Sequence, residues 1–504
     1  MDGFTPCLAP PSLPTAEEGS DLTPSSVLLD MEAYITAAAV SNATTAVGYM
    51  RTGKPIHITF YLAHPPRLSY LCAHFPGPAA ANSLHPGAPA ARCIKNPPIV
   101  ISTHADLALL HITHPAARDL GNDKYHDYFV YTARPWGPSL HRLPYPHANA
   151  GFQDNEVAIF RCSGGGRYVI AALRNTCDTR KFRLQRYDSD TCRWTSTVLY
   201  VHAPVRDIVL PIPDTATQLI YHNTDKVIML GGPRATIGWV DLWRGILLCD
   251  VLDQDKPRLR DVPLLKPSRA YRRYFCIGGP RPARDIAVVT TSPVNKVIKY
   301  IEMEIRPGED LPPPRQSACD SDSDDDAPPH CHHLDHVITN WFVEGLQKDC
   351  KVDVTDILVK NQRQLQQPML LPQLTTTDDP QNLTMRLRRL YAAHPTLGLA
   401  DHGDLVIYFL SKANIMDNKG WVMAVGAMDK MLRGIAELDS RKNKHWMMET
   451  QVLCTIGKLL RKWRILIKAD KQEGLDNRSS MRILQKKSLA TSAPASSSGA
   501  SPRR

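Results

Sequence analysis

Short apolar runs separated by turn-forming residues recur along most of the chain. PPIVIS near Val100, DLALLHI near Leu109 and RYVIAALRN ending at Asn175 have the length and β-branched content of strands. YHDYFVYTA, which ends near Ala133, alternates aromatic and polar residues as a half-buried strand does. The pattern therefore predicts a mainly β protein.

A loose unit recurs at irregular spacing, with copies that begin near Arg167, Lys226, Arg284 and Gly403. Each copy has an apolar strand, a turn, a strand with Trp or Tyr, and a further strand that ends in leucines. Such repeats are typical of propeller blades, because one small sheet cannot bury both faces whereas several packed radially can. We expect propeller-like repeated antiparallel sheets; a plain β-sandwich or two stacked β-domains would also give short strands and turns.

Composition sets the limits of this β region. Residues 1–25 are rich in Pro, Ser and Thr and are expected to be a disordered leader. The β-domain is expected at 26–438, interrupted by an acidic, Pro-rich disordered insert at 307–336 and a polar linker near 361–395.

The C-terminal part has a different pattern. Apolar residues between Val452 and Ile467 fall at helical spacing, which predicts a basic amphipathic helical segment at 439–470 and a disordered tail at 471–504. From Arg441 onward the chain carries 15 Lys and Arg against 4 Asp and Glu, so the overall net charge of +10 belongs to this end. The segment could dock on the β-domain, bind a partner or membrane surface, or contact nucleic acid through a basic patch formed by Lys458, Arg461, Lys462 and Arg464.

Several classes of protein are disfavoured. No run of 18 apolar residues is present, so a transmembrane segment is not expected. The first 20 residues have neither a basic nor an apolar region, which argues against a secretory signal. The 12 cysteines include no CxxC pair and fit a reducing compartment. The expected location is the cytoplasm or nucleus.

The segment IGWVDLWRGILLCDVL is predicted to form a hairpin. Alternation places Trp239, Asp241 and Trp243 on one face of its first strand, and Arg244-Gly245 is expected at the turn because Gly tolerates positive φ. Asp241 and Arg244 could line a site. The other interpretation is structural: Asp241 pairs with a backbone amide or an indole N–H, and the segment serves packing.

The sequence carries none of the common local motifs for catalysis or cofactor binding. The sequence has no GxxxxGK[ST], GxGxxG, HExxH or GxSxG motif, so no catalytic or cofactor-binding residue is predicted. The Gly-rich run from Ser163 to Arg167 precedes a strand and is expected to be a hairpin loop rather than a phosphate site.

The acidic insert holds two further candidates. Its cluster of metal-type side chains is contiguous and has no second ligand pair, so only adventitious metal binding is expected and no metal site is assigned: His330, Cys331, His332, His333, Asp335 and His336. Ser321 and Ser323 each precede an Asp by three residues, a context that suits an acidophilic kinase. The same run could equally be a solvating loop without a regulatory role.

Taken together, HPPRLSYLCAHFPG (His64–Gly77), YHDYFVYTA, SLHRLPYP, RYVIAAL and IGWVDLWRGILLCD occur in an order that resembles a grass-expanded plant family, domain-of-unknown-function family 1618. Gly426 stands where that family tends to have an acidic residue, and the basic tail is less typical of it. The resemblance implies no known catalytic residue, cofactor or substrate.

The absence of local catalytic motifs favours a non-enzymatic protein-interaction module with an unknown protein partner. Two alternatives stay open. One is an enzyme whose site is assembled from separate blades, and the other is a nucleic-acid-associated protein that uses the basic tail.

Overall fold

A computed structural model describes residues 10–11, 27–39, 41–76, 97–113, 126–134, 136–145, 151–163, 166–206, 220–253, 257–265, 279–290, 296–307, 334–342, 348–353, 357, 390–399, 404–413, 417–439 and 453–456. Within these ranges the regular structure consists of 26 strands and a 3-10 turn at Asp154–Glu156. The expected mainly β class is confirmed.

The described strands form five sheets that group into six blades of mainly antiparallel strands; one eight-stranded sheet comprises two of the blades, and the first blade also contains parallel pairs. Blade I begins with β1 (Val27–Asp30), β2 (Tyr34–Ile35), β3 (Ala46–Tyr49), β4 (Pro55–Tyr61) and β5 (Leu68–His74). Blade II contains β6 (Ile99–His104), β7 (Leu107–Thr113), β8 (His126–Thr132) and β9 (Ser139–Arg142). Blade III contains β10 (Val157–Arg161), β11 (Tyr168–Asn175), β12 (Lys181–Asp188) and β13 (Arg193–His202).

The second half of the chain repeats this plan. Blade IV contains β14 (Lys226–Gly231), β15 (Thr236–Asp241), β16 (Gly245–Asp250) and β17 (Leu259–Pro263). Blade V contains β18 (Arg284–Thr290), β19 (Lys296–Pro307), β20 (Leu334–Phe342) and β21 (Lys348–Asp353). Blade VI contains β22 (Tyr391–Leu399), β23 (Leu405–Lys412), β24 (Lys419–Gly426) and β25 (Leu432–Asp439), and β26 (Leu453–Ile456) then joins blade I.

The blades form a closed ring. The first strands of blades II to VI contact one another in series, and β22 of blade VI contacts β26. β26 pairs antiparallel with β1, so the two ends of the described chain meet in one sheet. Blade I is tied to blade II by hydrogen bonds from Ala33 N–H to the Pro98 carbonyl and from Val100 N–H to the Met31 carbonyl, each 2.8 Å. The propeller-like expectation is confirmed.

The hydrophobic core lies between the blades rather than in one central mass. One buried apolar cluster fills each of the six gaps, with members in both flanking blades: I–II (Phe60, Tyr131), II–III (Leu109, Tyr187), III–IV (Phe182, Trp239), IV–V (Val240, Tyr300), V–VI (Ile301, Phe409) and VI–I (Leu410, Leu28). Because strand side chains alternate between the two faces, each blade supplies two of these clusters.

Part of the C-terminal prediction was wrong. Within the predicted helical segment 439–470, Leu453–Ile456 form a strand whose residues pair with Val27–Asp30. A short helix is marginal by itself, whereas the open edge of β1 offers backbone partners to an extended segment with apolar residues. The other residues of 439–470 lie outside the described ranges.

Both predicted interruptions are shorter than expected. The insert was placed at 307–336, but β19 extends to Pro307 and β20 begins at Leu334, where Asp335 and His336 pair with Arg306 and Ile305. The linker was placed near 361–395, but β22 already begins at Tyr391. The leader at 1–25 and the tail at 471–504 fall almost entirely outside the described ranges.

Candidate functional site

The carboxylate of Asp241 organises the β15–β16 hairpin. Asp241 is fully buried, and its Oδ1 accepts hydrogen bonds from the backbone N–H groups of Trp243 (2.9 Å) and Arg244 (3.0 Å). Its Oδ2 accepts from Asn223 N–H at 2.8 Å and lies 3.0 Å from Arg244 Nη1. These contacts occupy both oxygens with groups of the protein itself, which is a structural role.

The turn of this hairpin lies earlier than predicted. Asp241 pairs with Gly245, and the Arg244 N–H donates to the Asp241 carbonyl at 3.1 Å, so the turn consists of Leu242, Trp243 and Arg244. Gly245 is instead the first residue of β16. A Cβ at this position would lie 2.5 Å from the carbonyl oxygen of Val262 in β17, so the close approach of a third strand requires glycine.

The two signature tryptophans pack in different gaps. Trp239 is fully buried between blades III and IV, and its indole N–H donates to the Glu156 carbonyl at 2.7 Å. Val240 and Leu242 point to the IV–V gap, as strand alternation predicts. Trp243 lies past the end of β15 and packs into the V–VI cluster instead of following Trp239.

A buried ion pair, which the sequence analysis missed, lies against Trp243. Arg284 is only 1% exposed; its Nη1 donates to the Leu242 carbonyl at 2.8 Å, and its Nη2 is 3.1 Å from Glu302 Oε2. The guanidinium stacks over the rings of Trp243 and Tyr300, with its carbon 5.1 and 5.4 Å from their centroids. The only sequence signal was an Arg at the start of an apolar strand.

A second buried pair joins blade IV to the loop that precedes it. Arg206 Nε donates to Asp261 Oδ1 at 2.8 Å, and the Tyr221 hydroxyl donates to Asp261 Oδ2 at 2.6 Å. Burial alone would raise the pKa of Asp261, but these hydrogen bonds hold the pKa below its usual value. Burial, together with the bond to Asp261, raises the pKa of Tyr221.

His222, the next residue along the chain, is a buried neutral imidazole. Its Nε2 lies 3.2 Å from the Thr224 hydroxyl, and its Nδ1 is buried without a hydrogen-bond partner. Burial lowers the pKa of His222 well below its usual value, and the positive charges of Arg206 and Arg244 lower it further.

The 3-10 turn Asp154–Glu156 connects three blades. Asp154 Oδ2 lies 2.8 Å from His111 Nδ1 in blade II, and Asn155 Nδ2 donates to the Thr224 carbonyl beside blade IV at 2.5 Å. Glu156 lies 3.8 Å from Arg174 Nε in blade III. Burial raises the pKa of Glu156, although the Gln153 N–H and Arg174 oppose that shift.

His111 links Asp154 of this turn to a second histidine, so that three titratable side chains lie in a row. Its Nε2 lies 2.8 Å from His126 Nδ1, and its ring stacks on Tyr128 at 4.9 Å. The side chains of His111 and Asp154 are 15% and 35% exposed, so solvent reaches the chain. An Asp–His–His chain can hold and pass a proton, and it is the arrangement in the described residues that most resembles an acid–base centre.

The outermost strand of blade III presents an open edge. β13 pairs with β12 along its length, but on the other side, among the residues that the structure describes, only Val201 and His202 pair, with β17. Val201 N–H donates toward β12, to the Arg180 carbonyl. In an antiparallel ladder alternate residues face the same neighbour, so the amides and carbonyls of Trp194, Ser196, Val198 and Tyr200 point outward.

This β13 edge lacks the usual protection. The eight residues from Trp194 to Val201 include no charged residue and no proline, and Val198 and Tyr200 are 48% and 62% exposed. Natural edge strands are normally short, charged or covered. The outermost strand of blade VI shows that protection, since β25 exposes Arg433 and Glu437.

The surface beside the edge is basic. Strands β12 and β13 carry four basic residues, Lys181, Arg183, Arg186 and Arg193, against the single acid Asp188. Asp188 is neutralised by Arg167, whose Nη2 lies 2.5 Å from its Oδ2, and this contact lowers the pKa of Asp188.

Other predicted candidates lie outside the described ranges: Ser321, Ser323, Lys458, Arg461, Lys462, Arg464 and the side chains at 330–333. Among the residues that the structure describes, no three His, Cys, Asp or Glu side chains are grouped so as to hold a metal ion. In the same residues, no helix has the length and apolar character needed to cross a membrane.

The ring of blades, with six interblade cores and a sheet shared by both ends, defines a propeller-like all-β protein. Residues 239–407, from Trp239 in blade IV to Ile407 in blade VI, match the model of the family described as "Protein of unknown function (DUF1618)". This match covers about a third of the chain, and the IGWVDLWRGILLCD motif begins within three residues of its first residue.

Comparisons with other proteins add little. No curated protein sequence matches the chain significantly. Two similar solved structures are the Penicillium chrysogenum alpha-L-arabinanase complexed with arabinobiose and the polysaccharide lyase Uly1, each 8% identical to this chain. The first likeness covers 66% of this chain and 90% of that one with a TM-score of 0.26, and the second covers 64% and 71% with a TM-score of 0.21. Neither supports a conclusion about activity.

Proposed function

We propose that the protein is a non-enzymatic interaction module that binds an extended segment of a protein partner along the β13 edge. The observation that supports this proposal is the edge itself. β13 is a ten-residue strand, and over residues 194–199 its outward amides and carbonyls face no other strand in the described structure. Strand addition satisfies such groups and draws its specificity from pockets for alternate side chains.

The polar clusters at the blade junctions are consistent with a structural role for these acidic residues. Asp241, Asp261 and Glu302 each receive hydrogen bonds from side chains or amides of the protein, and each is buried. Groups engaged in this way rigidify the ring and hold the edge of blade III in place.

The test uses proline at outward-facing positions. Ser196→Pro and Val198→Pro each remove an outward N–H without removing a bond to β12, and Ser196→Ala and Val198→Thr are the matched controls. We expect the full chain and both controls to capture the same proteins from an extract, and both proline variants to lose them while keeping the unfolding midpoint. Equal capture by all five proteins would contradict the proposal.

An enzyme assembled from separate blades is the second candidate, and the Asp154–His111–His126 chain favours it. If it is correct, His111→Gln abolishes a turnover that His141→Gln, at an exposed position of β9, preserves. The interaction module predicts no turnover that depends on His111.

Nucleic-acid binding through the basic tail is the third candidate function. The deletion that tests it must leave β26 in the chain. A chain that lacks residues 457–504 keeps β26 paired with β1 and removes the predicted basic patch. Salt-dependent binding to RNA or DNA that this deletion abolishes would favour the third candidate.

A further inference from the structure

We infer that the segment recognised by the β13 edge carries acidic side chains on alternate residues. This inference rests on the proposed function and adds the chemistry of the partner. Its basis is the basic surface described above, where four Lys or Arg flank an edge that has no charge of its own between Trp194 and Val201.

Strand geometry places one of these charges on the face that alternate residues of an added strand would share with Val198. Neighbouring strands lie about 4.8 Å apart. Arg193, on β13 itself, is an odd number of residues from Val198, so its side chain lies on the opposite face of the sheet. Arg183 pairs with Val198 and is exposed on the same face, two strand spacings from the added strand, or about 10 Å. An Arg and a Glu side chain together span that distance across Val198.

The remaining basic residues are already engaged. Lys181 lies 2.7 Å from Asp178 Oδ2 and 5.3 Å from the ring centroid of Tyr200, and Arg186 Nη1 donates to the Val251 carbonyl at 3.1 Å. On the face of Val198, Arg183 is therefore the residue whose charge an added strand would meet first.

Backbone pairing favours a peptide over a nucleic acid. The outward groups of Trp194, Ser196, Val198 and Tyr200 alternate as donors and acceptors with the repeat of a peptide strand. A phosphate backbone offers acceptors only, so it would leave the outward carbonyls without partners.

The test measures the affinity of the full chain for eight-residue peptides with blocked, uncharged termini. In these peptides Val alternates with Glu, Gln or Lys. A fourth probe is the Glu peptide with N-methylated valines, which keeps its charge and loses its strand-pairing amides. We expect the Glu peptide to bind roughly tenfold more tightly than the Gln peptide at low salt, since exposed ion pairs contribute modestly. The Lys and N-methylated peptides should bind more weakly than the Gln peptide.

Variants assign the preference to residues. Arg183→Glu should reverse the order of the Glu and Lys peptides, whereas Arg193→Glu, on the opposite face of the sheet, and Arg67→Glu, at an exposed position of blade I, should leave it unchanged. Matching unfolding midpoints show that all three variants are folded.

The outcomes separate the two proposals. Equal affinity for the Glu and Gln peptides, both lost in Val198→Pro, would overturn the acidic preference and leave strand addition standing. Full binding of the N-methylated peptide, or tighter binding of a single-stranded oligonucleotide of equal charge, would overturn the inference in favour of charge attraction alone. Failure of every peptide to bind would count against both proposals.

Discussion

The guanidinium of Arg284, the first residue of blade V, lies over the indole ring of Trp243 in the turn of blade IV, 5.1 Å from the ring centroid. The same guanidinium forms an ion pair with Glu302 and donates a hydrogen bond to the Leu242 carbonyl. The family signature in blade IV is therefore completed by a residue about 40 positions later, and the hairpin anchors the junction of two blades.

Arg284→Met should destabilise the protein by about 3–5 kcal/mol, because Glu302 is then left buried without its cation. The double variant Arg284→Met, Glu302→Gln should recover part of this loss, since the uncompensated charge is gone. Denaturant unfolding measures both. Arg433→Met, at a partly exposed ion pair with Asp429, is the control and should cost less than about 1 kcal/mol. A single variant as stable as the wild type would contradict the assigned role.

Gly245→Ala should destabilise by more than about 2 kcal/mol, because the new Cβ meets the Val262 carbonyl and forces β16 away from β17. Gly166→Ala is the matched control, since nothing lies within 4 Å of its Cβ position. We expect its unfolding midpoint to stay within error of the wild type. If the two variants unfold alike, the close approach at Gly245 is not what requires glycine.

Stability should fall as the pH drops below 6.5, the ordinary pKa of histidine, because of His222. Its folded pKa lies well below that value, so below pH 6.5 the unfolded state binds a proton that the folded state does not. The loss is up to about 1.4 kcal/mol per pH unit until the folded pKa is reached.

The measurement is the unfolding free energy at pH 7.5 and 5.5. The difference between the unfolding free energies at the two pH values should be smaller in His222→Asn than in the wild type. In His141→Gln it should be the same as in the wild type. Glu156 acts in the opposite direction: its pKa is raised above 4.5 in the folded state, so protonating it relieves a cost at lower pH. An unchanged difference in His222→Asn would argue against burial of this imidazole.

Ending the chain at residue 438 should lower the unfolding midpoint more than ending it at residue 470. The shorter chain lacks β26, which leaves the outer edge of β1 unpaired and opens the ring at blade I. The two truncated chains differ by residues 439–470, and within that segment the described strand Leu453–Ile456 is the part that pairs with β1. Equal midpoints would show that β26 contributes nothing to closure.

The strands of blades III to VI were predictable because each has its own apolar pattern. RYVIAALRN, KVIMLGG, RDIAVVTT and GDLVIYFLS all mark first or second strands of blades, and the hairpin of blade IV was recognised from its alternation. The turn position within that hairpin was not, because it depends on how β17 approaches Gly245, and no local pattern encodes a third strand.

The candidate sites were the least predictable part. His111, His126 and Asp154 come from separate segments, and an Asp–His–His chain exists only because the 3-10 turn lies against blade II. The repeating unit that begins near Arg167 predicts a strand with Trp or Tyr, as β13 has, but it does not predict that this strand is an edge, since edge and interior strands differ in their neighbours rather than in their own pattern.

By itself the sequence determined the β class, the repeating blade unit and the resemblance to one family over residues 239–407, because strand periodicity and hairpin motifs are local properties of the chain. The tertiary structure decided that the blades close into a ring through β1 and β26, that Arg284 completes the Trp243 junction, and that β13 keeps an open edge. Each of these depends on which distant segments meet, and backbone pairing and burial settle that only when the whole chain is folded.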